Sequence, residues 1–353
     1  MTTVMPEPSS QTVAAEPAAV RRIQLRFADG ATREILVPDD STVLDAARAA
    51  GVDLVSQCQV GTCCSCVGRV VSGGLEMPVA RTYPLRREEL AEGQRLLCQS
   101  SATADSEVAL DYPVSVIEGR TPVRTTAKVM AVHRLGATAV QLDLRLPKGQ
   151  DLAFTPGQYA RLRVPGTEEW RSYSMASGER SRRKLSFLVR LLPGGAMSTY
   201  LTRARPGDGV EIEAPFGGFV LQPRSEPHVL VAGGTGLAPM LSMLETLQLH
   251  RPAPPILLVF GCRRGEDLFH LDELAARASF MPTLTVRVTC DEECAEPGVL
   301  HSDPVAALRP EDVSAATVGY LCGPPGMVDA ARARLTELEV PAARIHSEQF
   351  LAS

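Results

Sequence analysis

The rhythm of apolar and polar positions changes three times along the chain. From Arg21 to about Ile117 the stretches RRIQLRF and REILVP alternate with period two, which predicts strands. VLDAARAAG then carries helical spacing, with Ser41 or Thr42 as its cap and a glycine as its stop. Residues 21–117 therefore predict a small β-rich unit with one main helix, and residues 118–122, inside EGRTPVRTT, read as a linker. Over residues 123–224 short alternating strands dominate: AKVMAVHRL, AVQLDLRLP, QYARLRVP, KLSFLVRLL and GVEIEAP. PKG, PGG and PGDG turns separate them, a spacing that predicts an antiparallel β-barrel. Over residues 225–353 fully apolar strands (HVLVAGG, PILLVFG, VGYLCG) alternate with helices (APMLSMLETLQLH, LDELAARAS, MVDAARARLTEL). That texture predicts a doubly wound α/β domain, its parallel sheet covered on both faces.

Composition narrows the class. A chain of 353 residues is long enough for two or three domains. A net charge of −5 gives no reason to expect nucleic acid or an anionic membrane as partner. No run approaches the roughly 18 apolar residues of a bilayer span. Residues 1–20 hold no Lys or Arg and no apolar core, and read as a disordered lead rather than a targeting signal. Nine cysteines, an odd number, favour metal and redox roles over a disulfide framework. The expectation is a cytoplasmic monomer.

The most specific chemistry lies in four of those cysteines. Cys58, Cys63 and Cys66 follow C-x4-C-x2-C, with Cys98 further on. That is the plant-type spacing for a [2Fe–2S] cluster. Zinc sites usually show two similar pairs, and no CxxC partners Cys98. Gly61 and Gly68 are expected to let the backbone fold closely around the cluster. Such a centre moves one electron at a time, which places the chain in an electron-transfer path. Residues 54–68 carry no charge, so an apolar acceptor-docking patch is expected, with Val55, Val60 and Val67 as its contacts.

Three weaker motifs lie downstream. In Arg171-Ser172-Tyr173-Ser174, alternate residues of a strand share a face, offering a guanidinium for phosphate and a ring for stacking. Gly194-Gly195 precedes an expected helix STYLTRA, where Ser198 and Thr199 hydroxyls and free amides suit an anion; a capped helix after a hairpin reads equally well. HVLVAGGTGLAPM leaves a strand for a helix through Gly233, Gly234 and Gly236, with Pro239 in place of the last glycine of the dinucleotide fingerprint. Cys322 and Gly323 end the last predicted strand, at the edge where doubly wound sheets bind ligands; a small buried core residue is the other reading of Cys322.

Taken in order, these motifs resemble the ferredoxin–NADP reductase superfamily with a plant-type ferredoxin domain fused in front. The likeness covers the chain beyond residue 20. The strings VPGTEEWRSYSMAS, VAGGTGLAPMLSML, YLCGPPGM and SEQF look closest to the single-chain reductases of benzoate-, toluate- and anthranilate-type aromatic-ring dioxygenases. The resemblance implies a β-grasp ferredoxin domain, an FAD-binding β-barrel and an NAD-binding α/β domain. It implies that Arg171, Tyr173 and Ser174 bind flavin, with Tyr173 against the ring and Ser174 near N5. Val189, Arg190, Gly195, Met197 and Ser198 would reach the ribityl and pyrophosphate, which favours FAD over FMN. Gly234, Thr235 and Gly236 would hold the dinucleotide, Cys322 and Gly323 would lie beside the nicotinamide, and Glu348 and Phe350 would stand close to the flavin.

Two departures are visible. Position 64, usually glycine in this family, is Cys64, expected to be a spectator. The coenzyme-selecting turn GCRRGEDLF offers Arg263 and Arg264 to a 2′-phosphate, but Glu266 or Asp267 to the ribose of NADH; NADH is the expectation, with NADPH the alternative. The implied function is transfer of hydride from NADH to FAD, then of single electrons through the cluster to a terminal oxygenase. A reductase of a diiron monooxygenase or of a cytochrome P450 shares this domain order, and a redox sensor stands further off.

Overall fold

The structure is a computed structural model that describes residues 19–56, 59, 61, 65–78, 85, 87–118, 122–221 and 225–350. Most of the expected N-terminal lead, the heart of the expected linker, and Cys58, Val60, Cys63 and Cys64 lie outside the described residues.

The first unit runs β1 (Val20–Arg26), β2 (Thr32–Pro38), α1 (Val43–Ala49), β3 (Val67–Ser72), β4 (Leu75–Glu76), α2 (Arg87–Ala91), β5 (Gln94–Leu96), β6 (Ser101–Ala102) and β7 (Ser106–Ala109). Its main sheet has the order β2-β1-β7-β3-β5, with β1 and β7 parallel and the other neighbours antiparallel. Alternation drives this: Ile23, Leu25, Ile35 and Val37 turn to one face and bury against Leu44 and Ala47 of α1. Of the two candidate caps, Thr42 is the one used, its hydroxyl accepting the Asp45 amide at 3.1 Å. Gly68 is a packing position: a Cβ there would stand 2.7 Å from Val108.

The middle unit holds β8 (Val123–Leu135), β9 (Ala139–Arg145), β10 (Tyr159–Arg163), β11 (Trp170–Ser174), β12 (Lys184–Arg190), α3 (Ala196–Leu201) and β13 (Gly209–Phe216). Every pairing in the order β11-β10-β13-β8-β9-β12 is antiparallel, and a bridge between Met175 and Phe187 draws the two ends of the sheet together. Helix α3 begins two residues before the expected STYLTRA and ends three before it, because Gly195 takes the cap position.

The last unit comprises β14 (His228–Gly233), α4 (Leu237–Leu247), β15 (Ile256–Cys262), α5 (Leu271–Phe280), β16 (Leu284–Cys290), β17 (Val299–His301), β18 (Val318–Gly323), α6 (Pro325–Glu337) and β19 (Ile345–Gln349). All six strands are parallel, in the order β17-β16-β15-β14-β18-β19. The continuous apolar runs follow from burial on both faces: Leu230 and Ala232 of β14 join the core under α4 and α5, while Val229 and Val231 join the one under α6. The order reverses at β14, with β15 on one side and β18 on the other, which opens a crevice at their carboxyl ends. Among the described residues no helix is long and apolar enough to cross a membrane.

Candidate functional site

That crevice is part of a cavity of about 1040 Å³ between the middle and last units. The middle unit lines it with Arg171, Tyr173 and Ser174 from β11, Leu188 and Arg190 from β12, and the turn and first residues of α3. The last unit supplies Gly233, Gly234 and Thr235, then Arg263, Asp267 and Phe350. Gln59, next to Cys58 in the cysteine loop, lines the same space. A cavity of this volume with an aromatic ring, guanidinium groups and glycine backbone fits a dinucleotide.

Behind one wall lies a buried polar pair that joins the two units. The Ser174 hydroxyl donates to Glu348 Oε2 at 3.0 Å, with both residues almost fully buried. Burial pushes the Glu348 carboxyl up to about 7, against the lowering effect of the Ser174 bond. Glu348 stands in β19 directly across from Cys322 in β18. Burial, and then the Glu348 charge, hold the Cys322 thiol well above its usual range, so it stays protonated. The Tyr173 phenol is raised by burial as well.

Several expected residues sit elsewhere than on the cavity wall. Val189 turns into the middle core, since β12 alternates and its neighbours Leu188 and Arg190 take the cavity side. Gly236 is a packing position: a Cβ there would lie 2.2 Å from the Cys322 carbonyl. Cys322 and Gly323 lie beneath the wall, where the Gly323 carbonyl accepts the Phe350 amide at 2.8 Å. The Ser198 hydroxyl lines the cavity but already accepts the Leu192 amide at 2.8 Å. The C-terminal segment is an edge strand of the parallel sheet, which is what carries Glu348 and Phe350 to the site.

Asp267 lines the cavity and carries further bonds. Its Oδ1 accepts the Thr138 hydroxyl at 2.7 Å and its Oδ2 accepts Arg264 Nε at 3.1 Å. Arg264 also pairs with Glu266 at 2.7 Å, while the Glu266 carbonyl accepts the Ala137 amide at 2.8 Å. The acidic pair thus ties the last unit to the turn after β8. Arg263 faces the cavity together with Asp291, whose carboxyl is raised by burial and by Asp303, against the pull of Arg263.

Thr138 and Asp291 were not foreseen, and neither was the chain's single tryptophan. Trp170 lies on the cavity wall with the guanidinium carbons of Arg124 and Arg161 at 5.1 and 5.6 Å from its ring centre. Their signal is alternation on β8, β10 and β11, legible only once the strand register is known.

Two of the four expected iron ligands are described. Cys66 and Cys98 are both buried, and the Cys66 carbonyl accepts the Leu97 amide at 2.9 Å, which sets them side by side. Gln99 Nε2 donates to the Cys98 sulfur at 3.4 Å and to the Gln59 carbonyl at 3.1 Å. Two buried cysteines, one with a donor aimed at its sulfur, fit a thiolate-held cluster. The other cysteines have local partners: Cys262 donates to the Asp267 carbonyl at 3.3 Å and Cys290 to the Arg263 carbonyl at 3.5 Å.

Comparison with known proteins agrees with this layout. A 2Fe-2S iron-sulfur cluster binding domain matches residues 27–103, an oxidoreductase FAD-binding domain residues 126–221, and an oxidoreductase NAD-binding domain residues 230–333. The anthranilate 1,2-dioxygenase electron transfer component of Acinetobacter baylyi is 32% identical over 338 residues, 94% of this chain and 97% of that protein. The propane 2-monooxygenase reductase component of Mycolicibacterium goodii is 34% identical over 330 residues, 90% of this chain and 94% of that protein. Among solved structures, an Amycolatopsis cytochrome P450 reductase superposes with a TM-score of 0.71 at 32% identity, covering 93% of this chain and 98% of that one. The chain is an oxidoreductase with [2Fe–2S], FAD and NAD(H) domains, and it belongs to the family of single-chain ferredoxin–FAD–NAD reductases that serve as oxygenase electron transfer components.

Proposed function

We propose that the protein is the NADH-dependent reductase of an aromatic-ring-hydroxylating dioxygenase, a cytoplasmic monomer that passes single electrons to the terminal oxygenase. The middle sheet is read as the FAD barrel and the first unit as a β-grasp ferredoxin, with boundaries near residues 117, 122 and 224. FAD accepts electrons in pairs and releases them singly, which links a hydride donor to a one-electron cluster.

The residues divide the work. Arg171 and Arg190 supply positive charge for the pyrophosphate, and the Tyr173 ring offers a flat face to the flavin. Gly234 and Thr235 present backbone to the nicotinamide dinucleotide, beside Arg263. Ser174 and Glu348 would hold a proton where the resemblance puts the flavin edge. With the carboxyl near 7, it exists in both protonation states at neutral pH, and the Ser174 hydroxyl changes from donor to acceptor accordingly. Cys322, a neutral thiol, closes the floor without adding charge. Cys58, Cys63, Cys66 and Cys98 hold the cluster, with Gln99 orienting the last of them.

The observation that carries this reading is the Ser174–Glu348 bond, which joins the flavin and nucleotide units beside one shared cavity. Anaerobic titration with NADH tests it. Absorbance of both flavin and cluster should bleach, and a cluster left oxidised under excess NADH rejects the path. A second acceptor class is favoured by one finding: similarity to the propane 2-monooxygenase reductases is as high as to the dioxygenase components. Reconstitution with a ring dioxygenase and with a diiron monooxygenase decides between them.

A further inference from the structure

The electrons that leave the flavin unit must cross to the first unit, and the two meet around a cavity of about 520 Å³ that both line. Tyr159 is one of its lining residues. It opens β10 and is 2% exposed. In the sheet it stands opposite Ser174 on one side and Phe216 on the other, and its ring stacks on Phe216 at 5.6 Å. Its hydroxyl donates to the main-chain carbonyl of Ser56, two residues before Cys58. One residue of the sheet thus backs onto the flavin-side serine through strand pairing and reaches the cysteine loop with its side chain.

The neighbouring backbone is shaped to receive that loop. At Gly217 a Cβ would lie 2.8 Å from the Tyr159 ring, so glycine leaves the ring its place. At Gly218 a Cβ would lie 3.0 Å from Val55 Cγ2, so Val55 seats directly on bare main chain. On the other side the Val55 amide donates to the Tyr112 hydroxyl at 3.2 Å, which ties the segment to its own unit's core. Val55, expected to meet an external acceptor, is therefore spent on this internal contact.

We propose that Tyr159, with Gly218, is the docking post of the iron–sulfur unit: a positioning residue that holds the cysteine loop against the flavin unit and so sets the rate of flavin-to-cluster transfer. The inference rests on the reductase reading. Tyr159 does not line the dinucleotide cavity; it acts through Ser56.

The test uses the loaded protein and two variants, Tyr159→Phe and Gly218→Val. Stopped-flow absorbance separates flavin reduction by NADH from the later transfer to the cluster, and amide hydrogen exchange of residues 52–56 reports docking independently of electron flow. In Tyr159→Phe, exchange at Val55 should speed up and transfer slow down by about fivefold, the equilibrium shift worth one ordinary hydrogen bond, with flavin reduction unchanged. Gly218→Val should act in the same direction and more strongly, because it displaces Val55 while leaving the hydroxyl intact. Transfer that stays at its native rate in Gly218→Val overturns the proposal, whether or not exchange quickens. Should Tyr159→Phe lose its flavin, Gly218→Val alone decides. A native protein whose cluster never reduces fails the reductase reading instead, and the exchange data still judge the docking contact.

Discussion

Two seams run through this molecule, and they are built on different plans. Between the flavin and nucleotide units the bonds are polar, directional and spread out. Ser174 donates to Glu348, Thr138 to Asp267, Ser242 to the Ser177 carbonyl at 2.8 Å, and the Gly178 amide to Glu245 at 3.0 Å. Between the flavin and iron–sulfur units the contacts include the Tyr159–Ser56 bond and two valines, Val55 and Val116, against the backbone of Gly218, beside a cavity of about 520 Å³ that both units line. The demands differ in kind. Hydride transfer needs reacting atoms about 3–3.5 Å apart and aligned, which a many-point seam secures. A single electron needs approach more than alignment, and an iron–sulfur unit that serves an outside acceptor gains from a seam that releases.

The sharpest way to break this contrast is at the buried pair. Ser174→Ala should lower the rate of flavin reduction by NADH by about 10²-fold while FAD stays bound, the range of a lost proton-handling group. Transfer to the cluster, measured after chemical reduction, should keep its rate. Equal losses in both steps would mean that the two seams are not independent.

The carboxyl of the same pair makes the directional seam pH-dependent. Its value rises on folding from 4.5 to about 7, so the folded protein binds an extra proton between those limits. The contribution to stability is full below about pH 4.5 and is lost as pH climbs through 7, a decline of about 3 kcal/mol at most. Denaturant unfolding of Glu348→Gln should lack that decline relative to the native chain. Parallel pH profiles for the two proteins would show that Glu348 keeps an ordinary value.

A smaller effect is expected from Asp267. Because its carboxylate ties Thr138 to Arg264, Asp267→Ala should cost about 1–3 kcal/mol and lower the midpoint of thermal unfolding by several degrees. KM for NADH should move less than about threefold, the scale of a weak contact. A tenfold rise in KM with an unchanged midpoint would return Asp267 to the ribose-binding role that its place in the turn suggested.

How far the sequence carried depended on whether a residue acts within its own strand or across a seam. The order of units, the strand-to-helix rhythm and the Thr42 cap were legible, because period and caps are local. Ser174, Glu348 and Phe350 were legible through family likeness, and they do come together, although the edge strand that delivers Glu348 was not foreseen. Val189 misled because face assignment on β12 depends on strand phase, and Gly236 because a glycine required by packing looks like one required by a ligand. Asp267 and Val55 carry contacts that the sequence did not show. Both are engaged by another unit, and nothing in GCRRGEDLF or LVSQCQ announces Thr138 or Gly218 as partner.

The Ser174–Glu348 bond spans 174 positions of chain. Closing a loop of that length costs more chain entropy than the strand pairings within either unit. The flavin sheet can therefore be complete while the chain still lacks its proton-holding pair. A folding intermediate of that kind would take up FAD yet turn over NADH poorly, so the oxidation of NADH becomes a readout of finished assembly.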